Sequence, residues 1–555
     1  MTAIDDKSTN DSALPFAITL DVGSSLENET GSWRSERPVY VHMLPPCNKQ
    51  CPAGENIQQW LFHAEEGNYE AAWQEIMVNN PLPAVMGRVC YHTCQIACNR
   101  AKVDEAVGIN AVERFLGDKA LLEGWSVPVT AEPTGKNVLV VGAGPSGISA
   151  AYHLARLGHS VTVRDEREEW GGMMRYGIPS YRLPRGILDG EVRRIEKMGV
   201  KFELNTRVED LRAELSNFDA IFLAVGAQIG KEVTIPASDP KAIVDAVDLL
   251  RQVEVAKENT GGQKPLAGRI VAVYGGGNVA IDAARSAVRL GADKIKIIYR
   301  RTRAQMPAHD FEVEEALEEG IELIELRTIR SALDGKLELE KMELGEDGFP
   351  KPTGEADETD ADILVFALGQ EADLGLLNGV EGIETERGVV KVNNGMMTGH
   401  PGIFAGGDMV PRDKNVTAAI GHGKKAARNI DAWLRGEEYQ EPHKPGDASI
   451  DRMTTWYYSD APQQIREKLE GPRRWTTFDE VVQGLDEQGA IFEARRCMSC
   501  GNCFGCDNCY GVCPDNAVLK IKPTEYEFKY DYCKGCGICA AECPCGAISM
   551  IPEEI

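Results

Sequence analysis

The segment "CFGCDNCYGVCP", beginning at Cys503, is matched in spacing by "CKGCGICAAECP", beginning at Cys533. Few features constrain a chain more, because thiols at such short intervals serve as disulfides, zinc ligands or iron–sulfur ligands. Zinc sites pair two thiols and, after a gap, two more. A CxxCxxCxxxCP run written twice instead suits two [4Fe–4S] clusters, the fourth cysteine of each run completing the other cluster. Cys503, Cys506, Cys509 and Cys543 then hold one cluster, and Cys533, Cys536, Cys539 and Cys513 the second. A disulfide framework fits poorly, since the 16 cysteines fall only between Cys47 and Cys98 and between Cys497 and Cys545, whereas stapled secreted proteins spread them along the chain. Staples are also unnecessary, because 555 residues suffice for several domains with cores of their own. Cys497, Cys500 and Cys545 are surplus to the count and read as spare thiols beside the clusters or as an extension of the site.

Two further segments each predict a strand, a glycine turn, a helix and a strand: "NVLVVGAGPSGISAAYHLARLGHSVTVRDE" and "RIVAVYGGGNVAIDAARSAVRLGADKIKIIYRR". In the first, Gly142, Gly144 and Gly147 satisfy GxGxxG between strand and helix. Gly142 permits the turn, Gly144 lets a pyrophosphate approach the backbone, and Gly147 lets helix pack on strand. The helix N-terminus then presents free N–H groups to the phosphates, and Asp165 is placed to accept from a ribose hydroxyl. In the second, Gly275 and Gly277 are followed by Asn278 and by Ala280, the small third residue the motif allows. Its second strand ends not in an acid but in Arg300 and Arg301. Guanidinium groups pair with a 2′-phosphate that an acid would repel, so NADPH is expected over NADH.

"GIFAGGDMV", containing Gly407 and Asp408, and "TAAIGHGKKAARNI", beginning at Thr417 and Ala418, follow. Asp408 resembles the aspartate that holds the ribityl and pyrophosphate portion of FAD in disulfide-reductase-like flavoproteins with two dinucleotide domains. "DAIFLAVGA" resembles the strand by which the chain leaves the FAD domain, and "ADILVFALGQ" the strand by which it returns. "GGMMRYGIPSYRLPR", with Gly172 and Arg182, and "YRRTRAQMPA" are similar to the small (β) subunit of NADPH-dependent glutamate synthase and its relatives. The likeness covers roughly residues 40 to 440. It implies that Cys51, Cys90, Cys94 and a non-cysteine ligand, Glu113, hold an N-terminal cluster. Cys47 and Cys98 match ligands of a second cluster whose remaining CxxC is absent, "VYVHMLPP" standing in its place. They read as buried spare thiols or, for Cys98, as a ligand.

The expected architecture is α/β. A polar arm (1–36) and a helical cluster domain (37–130) precede a first FAD segment (131–235), an NAD(P)H domain (236–362) and a second FAD segment (363–436). A connector (437–495) then leads to a ferredoxin-like α+β tail (496–555). The expected cofactors are FAD, NADP (or NAD) and three [4Fe–4S] clusters. The tail resembles the ferredoxin-like δ subunit of 2-oxoacid:ferredoxin oxidoreductases, which implies ferredoxin or such an enzyme as electron partner. A glutamate synthase large subunit or a sulfite-reductase-type enzyme is the other enzymatic partner, and a redox-sensing scaffold is the non-enzymatic reading. A formal charge of −26 speaks against nucleic acid or an anionic membrane. The N-terminus lacks a cationic start followed by an apolar core, and no apolar run is long enough to span a bilayer, so a cytoplasmic protein is expected.

Overall fold

The computed structural model describes residues 29–231, 233–257 and 264–553. Strand Asn137–Val141 is buried on both faces apart from its first residue, as a run of β-branched and aliphatic residues flanked by helices should be. It lies at the centre of a five-stranded parallel sheet ordered Ile403–Ala405, Ala220–Leu223, Asn137–Val141, Ser160–Arg164, Lys201–Glu203. Chain order reverses beside this central strand, so a crevice opens at the strands' carboxyl ends. The second sheet repeats the plan, ordered Glu322–Glu325, Lys294–Tyr299, Ile270–Tyr274, Ile363–Phe366, Ile243–Asp245. An antiparallel three-stranded sheet, Arg327–Leu333 with Lys336–Leu344 and Pro350–Asp360, is appended to it.

The expected boundary at 362/363 falls inside the second sheet. Strand Ile363–Phe366 pairs with Ile270–Tyr274 and Ile243–Asp245, so it closes the NAD(P)H sheet rather than beginning the return. The chain crosses back afterwards, where Gln370–Glu371 pairs with the outgoing Ile229–Gly230, and rejoins the first sheet at Ile403–Ala405. An apolar strand carries no mark of which parallel sheet it enters, and the register of its neighbours decides.

Helices Ile57–Glu65, Tyr69–Met77, Pro83–Val89 and Ile109–Glu123 form the N-terminal domain, packed around Trp60, Leu61, Ile76 and Leu116. The stretch 437–495, expected as a connector, is part of this packing. Ala494 of helix Glu487–Arg495 is fully buried in that core, and Glu493 accepts from the Gly108 amide at 2.6 Å. Arg496 donates to the carbonyls of Ala106 and Ala461 at 2.8 and 2.6 Å. The charges of this stretch are spent on ion pairs across the domains, some of them buried. Arg474 reaches Glu318 and Glu319 of the second nucleotide domain, both at 2.9 Å, while Arg285 and Arg289 pair with the same fully buried Glu319, each at 2.8 Å. Arg474→Ala is expected to destabilise the fold by about 2 kcal/mol, the scale of hydrogen bonds to charged groups. Chemical denaturation should read that loss, and an unchanged midpoint would mean the segment is held elsewhere.

Residues 1–28 of the expected arm lie outside the described residues. The remainder is docked, not free: Glu36–Tyr40 pairs antiparallel with Ile548–Pro552, Arg34 pairs with Glu553 at 2.8 Å, and Thr30 donates to the Tyr532 carbonyl at 2.5 Å. A short polar strand has no periodic apolar signature of its own, and it becomes a strand because the tail offers an edge to pair with.

Candidate functional site

The crevices of the two parallel sheets open into one cavity of about 1270 Å³, beyond the roughly 300–1,000 Å³ usual for a single small ligand. Gly142, Gly144, Asp165, Gly172, Arg182, Gly275, Gly277, Asn278, Arg300, Arg301, Gly407 and Asp408 all line it. Gly142 has φ 109°, and a Cβ there would stand 2.4 Å from the Ala224 carbonyl oxygen. The turn therefore demands glycine twice over. Gly147 does not line the cavity; a Cβ on it would lie 1.9 Å from the Gly142 carbonyl, so it serves the close approach of helix to strand.

Asp165 accepts from the amides of Ala143 and Arg167 at 2.7 and 2.8 Å. It thus braces the glycine turn, and burial pushes its carboxyl up despite those bonds. Asp408 also has its carboxyl pushed up by burial, with Lys414 the charge that opposes the shift. Arg182 is engaged by Asp282 at 2.7 Å and by Glu312, so its charge is already matched within the protein. Arg300 and Arg301 differ. Neither makes an ion pair with a carboxylate among the described residues, and the buried Nε of Arg301 has no hydrogen-bond partner. Thr417 and Ala418 stand at the start of helix Val416–Leu434 but outside the cavity lining. The Ala418 amide donates to the capping Asn415 side chain at 2.8 Å, and the Thr417 hydroxyl turns to the sulfur of Cys90 at 3.3 Å.

That contact leads to the N-terminal cysteines. Cys51, Cys90, Cys94 and Glu113 all lie within electrostatic reach of one another. Glu113 is buried and accepts from Asn80 at 2.9 Å; burial, and then the neighbouring Glu55, push its carboxyl well above the usual range. Lys424, whose ammonium burial pulls down to about 8, is held by Asn79 at 3.1 Å and by the Ala53 carbonyl. Tyr91, next to Cys90 in the chain, lines the large cavity, stacks on His309 with ring centroids 3.8 Å apart, and accepts from Asn278 at 2.7 Å. Sequence reasoning passed over Tyr91 and Lys424, although the one adjoins an expected ligand and the other lies in the quoted helix.

In the tail, Cys503, Cys506, Cys509 and Cys543 share one small cavity with Cys545, and Cys513, Cys533, Cys536 and Cys539 share another. The crossed grouping is therefore present in space. The two halves match in detail, the Ala517 amide donating to Cys513 at 3.2 Å and the Ala547 amide to Cys543 at 3.3 Å. No helix among the described residues is long and apolar enough to cross a membrane.

The pyridine nucleotide-disulphide oxidoreductase family model matches residues 136–423. A 4Fe-4S cluster domain described as dihydropyrimidine dehydrogenase domain II matches 21–125, and a 4Fe-4S binding domain matches 526–549. The chain is 36% identical over 503 residues to an NADP(+)-dependent formate dehydrogenase subunit beta of Moorella thermoacetica, covering 82% of this chain and 70% of that one. It is 31% identical over 522 residues to an NADPH-Fe(3+) oxidoreductase subunit beta of Geobacter sulfurreducens, covering 84% and 77%. With the glutamate synthase [NADPH] small chain of Escherichia coli it shares 32% over 421 residues, covering 70% and 89%. The chain belongs to the pyridine nucleotide-disulphide oxidoreductase family, in its branch of NAD(P)H-dependent FAD and iron–sulfur oxidoreductases related to the glutamate synthase small chain.

Proposed function

We propose that this chain is the NADP(H)-linked flavin and iron–sulfur subunit of an electron-transfer system, exchanging electrons with ferredoxin or with a larger oxidoreductase subunit such as a 2-oxoacid:ferredoxin oxidoreductase. The observation that carries the reading is that one cavity is lined by both glycine turns and by Tyr91, the residue next to Cys90, while Cys90, within electrostatic reach of Cys51, Cys94 and Glu113, accepts from Thr417 on the helix whose Val416 and Ala419 line the same cavity. When bound, FAD supplies the conversion between the two-electron chemistry of a nicotinamide and the one-electron chemistry of iron–sulfur clusters.

The chain's own residues position these groups. Gly142 and Gly144 would let the flavin pyrophosphate approach the backbone at a helix N-terminus, and the half-buried Asp408 would offer an acceptor to the ribityl portion. Gly275 and Gly277 would do the same for the nicotinamide dinucleotide, and Arg300 and Arg301, which pair with no carboxylate among the described residues, line the cavity beyond that turn, which suits a 2′-phosphate. The cysteine groupings fit three cubanes: Cys51, Cys90 and Cys94 with Glu113, and the two crossed sets of the tail. The naming of two relatives as beta subunits supports a subunit's role, and one of them, a formate dehydrogenase subunit, widens the choice of partner to other dehydrogenases.

Protein purified without oxygen should carry about one FAD per chain and reduce a viologen with NADPH. Reduction of ferredoxin should follow in the same assay. Flavin-replete protein that NADPH does not reduce would defeat this reading and favour a sensing module.

A further inference from the structure

Cys47, Cys98, Cys497 and Cys500, to which the sequence assigns no complete ligand set, come together in the fold. All four line one cavity of about 20 Å³. That equals the cavity lined by Cys513, Cys533, Cys536 and Cys539, also about 20 Å³, and exceeds the one of about 10 Å³ lined by Cys503, Cys506, Cys509 and Cys543. Each of the four lies within electrostatic reach of the other three, the same mutual arrangement as at Cys51, Cys90, Cys94 and Glu113. We propose that these four cysteines hold a further [4Fe–4S] cluster, a site divided between the N-terminal domain and the segment that enters the tail.

Three independent features support it. The first is backbone geometry. In the turns Cys503–Cys506 and Cys533–Cys536 the residue before the second cysteine is left-handed, Gly505 at φ 82° and Gly535 at φ 72°; in Cys497–Cys500 the equivalent Ser499 adopts φ 46°. A serine rarely takes that conformation without a reason, and here it gives the CxxC the same turn as two cluster-binding ones. The second is the polar environment of the sulfurs. The Ser499 amide donates to Cys497 at 3.5 Å and the Asn99 side chain to Cys500 at 3.6 Å, the kind of hydrogen bonding that tunes cluster sulfurs. The Ser499 hydroxyl in turn accepts from Gln58 at 3.2 Å, which fastens the turn to the N-terminal helices. The third is the coordination count. Four thiols saturate one cubane, and all four are free of disulfides.

The location adds to the argument. Cys47 lies within electrostatic reach of Cys94 in the N-terminal group. On the other side, Tyr458 lies within reach of Cys497 and Cys500 and also of Cys506 and Cys545 in the tail. The site thus stands between the two cysteine groupings already described, which would otherwise be separate.

The proposal adds a site to the three of the proposed function, and its test is built as a difference so that the two can fail separately. Iron and acid-labile sulfide per chain are measured in anaerobically purified wild type and in Cys497→Ser/Cys500→Ser. The double variant should lose about four irons and about four sulfides while keeping its FAD. That difference supports the site whatever the wild-type total; a total near twelve with the difference intact would instead remove one of the other three sites. No loss of iron, or loss of zinc without sulfide, would overturn the proposal. Should the double variant be recovered without FAD, and so misfolded, Cys98→Ser takes its place, with the same loss expected and the same results against it.

Discussion

Replacing Cys536 by Ala is expected to abolish reduction of ferredoxin or of the partner enzyme while leaving NADPH-driven flavin reduction intact. Cys536 is exposed and shares its cavity only with Cys513, Cys533 and Cys539 among the cysteines. No described residue of the tail lines the large dinucleotide cavity, so removing this thiol leaves the nicotinamide and flavin sites untouched. Each iron of a cubane takes its own protein ligand, and alanine supplies none, so the substitution leaves one iron of this cluster without a ligand. The measurement pairs two anaerobic assays on the same preparation, stopped-flow bleaching of the flavin by NADPH and steady-state reduction of ferredoxin. The tail also carries the strand Ile548–Pro552, which pairs with Glu36–Tyr40, so thermal unfolding is followed in parallel. Equal loss of both activities would place the damage in the fold and refute a terminal position for the tail sites.

Changing both Arg300 and Arg301 to Ala is expected to cost NADPH about 3 kcal/mol in kcat/KM, roughly a hundredfold, since each charge-assisted hydrogen bond contributes about 1.5–3 kcal/mol. NADH use should barely change. The two arginines follow strand Lys294–Tyr299, line the cavity and lack carboxylate partners among the described residues. Nearby Arg303, in contrast, pairs with Glu314 at 3.2 Å and so has less charge to offer. The comparison uses both nucleotides, wild type and double variant, with a viologen acceptor that bypasses the partner. A wild type that prefers NADH, or a variant that loses both nucleotides alike, would show that these residues do not read the phosphate.

The glycine turns and the tail cysteines were legible in the sequence because their chemistry is local. Gly142 must be glycine because of its own φ and the carbonyl a few ångströms away, and a CxxCxxCxxxCP run brings three ligands together within a few turns of backbone. Even the crossed grouping of Cys513 and Cys543 follows from the duplication of one short run. Features made by distant segments left no such trace. Strand Ile363–Phe366 is apolar enough for either parallel sheet, and only its register beside Ile270–Tyr274 assigns it. The charged stretch around Arg474 looks solvated until Glu318 and Glu319 are seen opposite it. Nothing around Arg182 in the sequence marks Asp282 and Glu312 as the carboxylates that engage it in the fold. Most of all, Cys47 and Cys98 are separated from Cys497 and Cys500 by nearly the whole chain. Each pair alone is an unfinished ligand set, and only the packing of helix Glu487–Arg495 into the N-terminal core brings the two together. Spacing along the backbone determines ligands that one turn can gather; ligands gathered from both ends depend on long-range burial, which the tertiary structure alone decides.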